Sequence, residues 1–244
     1  MATYDFNTST SGVSSRVTQK SLLSKCFTYM LLFLLLTAAV SVGVSLIFEK
    51  AISDVTVREN AYFITLISAS ITQIFLTVVI AFTSLKRGKA SVIPLVLYAV
   101  CMGVLLSSFS LWLNWWTLAA TFGIAALCFG AMALIGIFSK NASPLGMVGF
   151  GLLFGVMMIS LFNIIFALLM PQVWVIQNII SSVIIVIAIM LITAYDVYNI
   201  KQISMRCEAD GNIALFLAFN LYLDFIIILI HLLRLVAIFS NNNR

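Results

Sequence analysis

Charged residues are scarce in this chain. Only 9% of its 244 residues are Asp, Glu, Lys or Arg, whereas 63% are hydrophobic. A soluble domain carries about 25% charged residues, so the composition excludes an ordinary soluble protein. Uncharged apolar runs long enough to cross a bilayer as a helix, about 20 residues, recur along the chain. Alternating segments of about ten residues, typical of a membrane β-barrel, are missing. The composition predicts an all-α membrane protein.

Residues for catalysis and metal binding are also scarce. The chain has one histidine, no nucleophile–base set and no zinc spacing such as HExxH, so we expect neither enzymatic activity nor a cofactor. The net charge of +5 comes from basic residues in short loops, which is not a nucleic-acid signal. The four cysteines form no close pair, which indicates reduced structural thiols. They are Cys26, Cys101, Cys128 and Cys207.

The apolar runs predict a bundle of seven transmembrane helices. They cover residues 26–48, 61–85, 90–113, 116–139, 145–170, 173–198 and 213–239. Because the connections are short, consecutive spans are predicted to be antiparallel neighbours. Residues 1–25 are polar and rich in Ser and Thr, which predicts a disordered cytoplasmic tail. The transmembrane domain then covers residues 26–239, and residues 240–244 form a short C-terminal tail.

The basic residues predict the orientation of the bundle. Most Lys and Arg lie in the tail and in the loops after spans two, four and six, whereas the opposite side has Lys50 and Arg58. Positive loops stay in the cytoplasm, so we expect a cytoplasmic N-terminus. We favour a full crossing for span seven, although Arg234 and Arg244 leave a re-entrant segment as the alternative.

Glycines mark close helix packing. Gly151 and Gly155 in span five form a GxxxG pattern, which lets helices approach closely in lipid. We expect this pattern to pack inside the bundle rather than to form a dimer interface.

Two carboxylates lie inside the spans, Asp196 in span six and Asp224 in span seven. An ionisable group at membrane depth faces protein or water, and it indicates a functional site. A helix turns about 100° per residue, so each acid shares a helix face with other polar side chains. These are Asn178 and Ser182 in span six, and Asn220 and His231 in span seven. A short loop, residues 199–212, joins the two spans, so the acids are predicted to meet.

A meeting of two carboxylates would give the site its chemistry. In low dielectric, both cannot ionise easily, so the pair shares a proton and can sense pH. An ionised pair attracts a hard cation such as Ca²⁺, which takes about 6–8 oxygen ligands. Asp196 and Asp224 would then form a partial metal site that water, Asn220 or main-chain carbonyls complete. The alternative is a structural polar contact that holds the last two helices together.

Two stretches carry a family resemblance. "TAYDVYNIKQI", followed by "NLYLDFIIILIHLLRL", resembles the signature of the transmembrane Bax inhibitor motif family, and the resemblance covers residues 26–239. It implies a seven-helix fold with a paired-aspartate site, at Asp196 and Asp224, that gates a pH-sensitive calcium leak. The basic residue that closes the pore in such proteins is best matched by Arg87, with Lys86 next to it. His231 stands where the family often has Tyr, and it would tune the pH response if it faced the same polar seam as Asp224.

Other functions stay open at this point. The expected partners of a leak are the lipid bilayer, Ca²⁺ and protons. A non-conducting regulator, a cell-death suppressor or protease modulator, would instead bind a membrane-protein partner through helix contacts. A proton-coupled transporter is disfavoured because the spans lack paired broken helices. We expect a bacterial cytoplasmic membrane, with the endoplasmic reticulum as the alternative, and the sequence leaves the oligomeric state open.

Overall fold

A computed structural model describes residues 8–51, 55–85, 92–111, 113–169, 171–206 and 211–241. These residues form seven α-helices and contain no strand. A short 3₁₀ turn, Ser108–Leu111, follows the third helix. The helices are α1 (Thr8–Ala51), α2 (Val55–Leu85), α3 (Val92–Ser107), α4 (Trp115–Phe138), α5 (Ser143–Leu169), α6 (Pro171–Arg206) and α7 (Gly211–Asn241). Length and composition allow all seven to cross a membrane, which confirms the predicted fold class.

Helices α6 and α7 form the centre of the bundle. Helix α7 packs against α1, α4 and α6, while α6 also packs against α5 and α4. Helix α2 lies at the periphery and packs mainly against α3. The prediction that consecutive spans are neighbours is confirmed for α2–α3, α5–α6 and α6–α7. It was wrong for α1, which packs mainly against α3 and α7 rather than against α2, and for α4, which packs against α6 and α7 rather than against α5.

Glycines explain why α4 and α5 approach α6 so closely. A Cβ atom added at Gly136 of α4 would meet the backbone carbonyl oxygen of Ala194 and, at 3.0 Å, the Cβ of Val197. A Cβ at Gly149 of α5 would lie 2.9 Å from the carbonyl oxygen of Ala188. Missing side chains at these points let the backbones touch, which is how small residues promote helix packing in lipid.

The GxxxG pattern of α5 lies elsewhere. Nothing lies within 4 Å of the Cβ positions of Gly151 and Gly155. The prediction that these glycines pack inside the bundle was therefore wrong. Gly149, on the other side of α5, makes the close contact with α6. The face of α5 that carries Gly151 and Gly155 therefore points away from α6 and is open to lipid or to another protein.

A pair of alanine substitutions tests this packing. We expect Gly136→Ala to destabilise the protein by about 1–3 kcal/mol, because the new methyl group meets backbone that cannot move without separating α4 from α6. Gly151→Ala is the matched control, and helix propensity should make it neutral or stabilising by up to about 1 kcal/mol. Thermal unfolding in detergent compares the two. Equal midpoints would show that α4 and α6 are not in close contact at Gly136.

The first helix corrects the predicted tail. Residues 1–7 lie outside the described residues, but α1 begins at Thr8, within the segment predicted to be disordered. Leu22 is buried, and the Cys26 thiol donates to the carbonyl oxygen of Ala214 on α7, at 3.5 Å. The packing of α1 against the bundle therefore extends past the apolar run, at least to Leu22.

The connection between α6 and α7 is shorter than predicted. Helix α6 continues to Arg206, and α7 begins at Gly211, so most of the predicted loop 199–212 is helical. Helix α7 runs without a break to Asn241, which fits a full crossing rather than a re-entrant segment. The polar positions at the end of α6 are thus held on a helix, where their directions are fixed.

Candidate ion-binding site between the last two helices

Asp196 lines a polar cleft at one end of the bundle, the end predicted to be cytoplasmic. The cleft has a volume of about 460 Å³, and α6 forms most of its wall. Helix α7 contributes Leu217 and Asn220, and Ser143 comes from the first turn of α5. The remaining polar lining consists of Tyr198, Asn199 and Gln202. Hydroxyl, amide and carboxylate oxygens are the ligands that hard cations prefer.

Asp224 lies behind this cleft, in the protein interior. Its side chain is 7% exposed, and within the described part of the chain its Oδ2 atom is fully buried without a hydrogen-bond partner. Asp224 follows Asn220 by four residues, so the two share one face of α7, about one turn apart. Asp196 is close enough to act on Asp224 electrostatically. The structure thus places both predicted acids at the contact between α6 and α7, one beside the cleft and one beneath it.

Thr193 is a site residue that the sequence reasoning missed. It is fully buried, and its hydroxyl lies near the Asp224 carboxyl group. The same hydroxyl donates to the Ile189 carbonyl oxygen at 2.9 Å. Because one hydroxyl has one proton, Thr193 cannot satisfy both acceptors. Its position three residues before Asp196, on nearly the same helix face, was the signal that could have revealed it.

The other predicted polar residues meet farther along the same two helices. Arg234 donates from Nη2 to the Oδ1 atom of Asn178 at 2.9 Å. The Nδ1 atom of His231 lies 3.4 Å from the hydroxyl oxygen of Ser182. Seven residues, about 10 Å along α7, separate His231 from Asp224. His231 therefore shares its face of α7 with Asp224, about two turns away, but contacts Ser182, and its tuning of the pH response stays a prediction.

Apolar side chains separate the two polar ends. Ile189 of α6 and Ile228 of α7 fall on the same helix faces as the acids and are 4% and 0% exposed. Both belong to the buried apolar core. We call this line of side chains the α6–α7 seam: Asn178, Ser182, Ile189, Thr193 and Asp196 on α6, and Asn220, Asp224, Ile228, His231 and Arg234 on α7. The seam is polar at both ends and apolar in the middle.

The structure describes Lys201, a basic residue at the cleft end of α6, but not the two predicted gating cations. Lys86 and Arg87, the candidate gating cations, lie outside the described residues. Lys201 on α6 is half-buried, and its Nζ donates to the Ile137 carbonyl oxygen at 2.9 Å and to that of Ser139 at 3.5 Å. It therefore satisfies carbonyl groups at the C-terminus of α4, where a cation is favourable. Lys201 fixes the end of α4 against the helix that carries Asp196.

A second cavity does not continue the seam. It has a volume of about 230 Å³ and lies between α1, α4 and α7. Its α7 lining, Ile226, Leu229 and Leu233, points away from the face that carries Asp224, because these positions are rotated by more than about 100° around the helix. Its hydroxyl groups, such as those of Thr37 and Ser45, are already hydrogen-bonded within the protein. We therefore assign the ionisable chemistry to the seam.

Among the residues that the structure describes, the seam offers a cation two acids. Within the described residues, no group of three or more His, Cys, Asp or Glu side chains could hold a metal ion. Asp196 and Asp224 supply the charge, and neutral oxygens of the cleft would supply other ligands. Such a set suits weak, reversible binding better than a closed structural site.

Comparison with known proteins gives one clear match. The family model described as "Inhibitor of apoptosis-promoting Bax1" matches residues 19–241, which is most of the chain and includes the whole seam. A search of curated proteins finds no match.

Proposed function

The chain belongs to the Bax inhibitor family of membrane proteins, and we propose that it is a pH-sensitive calcium leak channel whose path follows the α6–α7 seam. The observation that carries this proposal is the buried Oδ2 atom of Asp224, which has no hydrogen-bond partner among the described residues and lies about one turn along α7 from Asn220 in the wall of the Asp196 cleft. A buried acceptor without a partner is unfavourable by about 1–3 kcal/mol, and more if it is charged. Asp224 therefore gains from binding a proton or a cation.

The position of the acids supports conduction rather than storage. A cation entering the cleft would meet Asp196 and Asn220 in its wall, and Asp224 lies about one turn deeper than Asn220 along α7. Two carboxylates and a few neutral oxygens hold Ca²⁺ weakly, and an ion that is conducted must also leave. Beyond Asp224, the buried Ile189 and Ile228 close the seam. Apolar constrictions of this kind stop ions by excluding water, so the described state corresponds to a closed path.

Protonation would control the path through the paired acids. The pair holds fewer charges as protons bind, which changes both its attraction for Ca²⁺ and its contact with any neighbouring cation. Lys86 or Arg87 would supply that cation, as the family resemblance implies. Lys201 is already bound to the end of α4, so it is a weaker candidate for the closing role.

Flux through reconstituted protein tests the proposal. Liposomes that contain the protein and a Ca²⁺-sensitive dye should show Ca²⁺ entry above that of empty liposomes, and the entry should change between about pH 6 and pH 8 because carboxylate pairs can titrate in this range. Entry equal to that of empty liposomes at every pH, from folded protein, would reject a leak channel.

A non-conducting regulator is the second candidate, and the outward face of α5 favours it. Gly151 and Gly155 have no neighbour within 4 Å, so they can accept a close helix of another membrane protein. In this case the chain would suppress cell death or modulate a membrane protease through helix contacts, and Asp196 and Asp224 would only hold α6 against α7.

Deletion of residues 1–20 separates the two functions. A leak channel should keep its Ca²⁺ flux, because the packing of α1 that the structure describes begins at Leu22. A regulator that uses the N-terminal segment should lose its biological effect. Liposome flux and a cell-survival assay, measured on the same variant, distinguish these outcomes, and lost flux from a folded variant would contradict the proposed path.

A further inference from the structure

The far end of the α6–α7 seam has an excess of hydrogen-bond donors. We call Asn178, Ser182, His231 and Arg234 the Arg234 cluster. A guanidinium group has five N–H donors and no acceptor. Arg234 gives one of these donors to Asn178, and within the described part of the chain it forms no ion pair with a carboxylate. The cluster therefore has a positive charge and unused donors, but no anion.

The cluster is built into the bundle rather than placed on its surface. Asn178 is 7% exposed, Ser182 is fully buried, and Arg234 and His231 are half-buried. Asn178 holds the guanidinium group in one orientation. A cationic side chain inside a span is unfavourable unless it is paired or reaches the interface. Arg234 is hydrogen-bonded to Asn178 and has no acidic partner within the described part of the chain, so its remaining N–H groups can bind an anion from outside the chain.

The depth of the cluster matches the headgroup region. Arg234 lies six residues before Ser240, where the apolar span ends, which is about 9 Å along the helix. Asn178 lies seven residues after Pro171, where α6 begins, which is about 10 Å along the helix. Long basic side chains near helix ends extend towards the interface. Both partners are thus within reach of the polar edge of the membrane.

From these observations we propose that the Arg234 cluster binds a phosphate group. The planar guanidinium fork matches phosphate oxygens in a bidentate way, and the hydroxyl and imidazole groups next to it can complete the contact. The phosphate belongs either to a lipid headgroup or to a free phosphate ion. This site lies at the opposite end of the seam from Asp196, and it does not depend on calcium conduction.

Lipid titration of the full-length protein tests the site. Phosphatidylglycerol, diacylglycerol with the same chains, and inorganic phosphate are added separately to protein in an uncharged detergent, and bound lipid and thermal unfolding are measured. Phosphatidylglycerol should raise the unfolding midpoint, whereas diacylglycerol should not. Arg234→Gln should weaken phosphatidylglycerol binding at least about tenfold, the loss expected for one charge-assisted hydrogen bond. Lys140→Gln removes an exposed charge from the other end of the bundle and should change nothing.

The outcomes are distinct. A midpoint shift with inorganic phosphate alone identifies a free ion as the ligand, and a shift with phosphatidylglycerol alone identifies a lipid. Equal effects of diacylglycerol and phosphatidylglycerol, no effect of either phosphate compound, or an unchanged effect in folded Arg234→Gln would each overturn the proposal.

A second measurement avoids dependence on the folding of the variant. Phosphatidylglycerol with a photoreactive headgroup is cross-linked to the unmodified protein. Labelling should concentrate on α6 near Asn178 and on α7 near Arg234, and excess inorganic phosphate should reduce it if the ligand is the free ion. Labelling confined to other helices would overturn the site.

Discussion

The Asp196→Asn, Asp224→Asn double variant is expected to conduct Ca²⁺ without pH dependence. Asparagine keeps the size and the polar character of each side chain but cannot titrate between about pH 6 and pH 8. If the coupled acids sense pH, the flux of the variant should be flat over this range, whereas that of the unmodified protein should vary. Liposome flux at matched protein content measures both.

The two single variants show how much each aspartate contributes to the pH dependence of the flux. Asp224 is buried with an unpartnered oxygen, so Asp224→Asn should alter the pH profile more than Asp196→Asn, whose side chain lines an open cleft. Glu49→Gln is the matched control, because Glu49 is an exposed acid at the end of α1, away from the seam. A pH profile that survives in the double variant would show that other groups sense pH.

Ile228→Ala is expected to raise Ca²⁺ flux by about tenfold or more. Ile228 is fully buried, in the middle of the apolar section of the seam, one turn beyond Asp224. Removing its three outer carbons leaves room for water between the polar ends, and a decrease of about 1.4 kcal/mol in the barrier is a tenfold increase in rate. Ile189→Ala on α6 should act in the same direction.

The control for this substitution is on the lipid-facing side. Ile187 is also on α6 but is 49% exposed, so Ile187→Ala removes the same atoms without opening the seam. A buried Ile→Ala change also destabilises a protein by about 2–5 kcal/mol, so the variant must elute as folded protein before its flux is measured. Equal flux in Ile228→Ala and Ile187→Ala would place the path somewhere else.

Much of the fold could be predicted from the sequence because the bilayer imposes simple rules. Apolar runs identified all seven spans, and the 3.6-residue period placed Asn178 and Ser182 on one face of α6. The same period placed His231 on the facing side of α7, and the structure joins His231 to Ser182. A charged or polar residue inside a span is informative because its burial is unfavourable unless it has a partner or a function.

The remaining features depend on contacts between distant segments. Hydropathy does not distinguish a lipid-facing side chain from a protein-facing one, since both environments are apolar. The outward face of Gly151 and the packing of α4 against α6 could not be predicted for this reason. Lys201 is a further example. From the sequence it contributed only to the predicted orientation of the bundle, whereas in the structure it binds the carbonyl oxygen of Ile137, on a different helix.

Chemical modification that blocks the cleft tests the proposed Ca²⁺ path most directly. Asn220→Cys is introduced into a chain whose own cysteines are replaced by alanine, and the new thiol lies in the wall of the Asp196 cleft. A bulky, positively charged thiol reagent is then added to the cleft side of liposomes with active protein. If Ca²⁺ passes along the α6–α7 seam, complete labelling should abolish the flux, and reduction should restore it. Unchanged flux after complete labelling would contradict the proposed path.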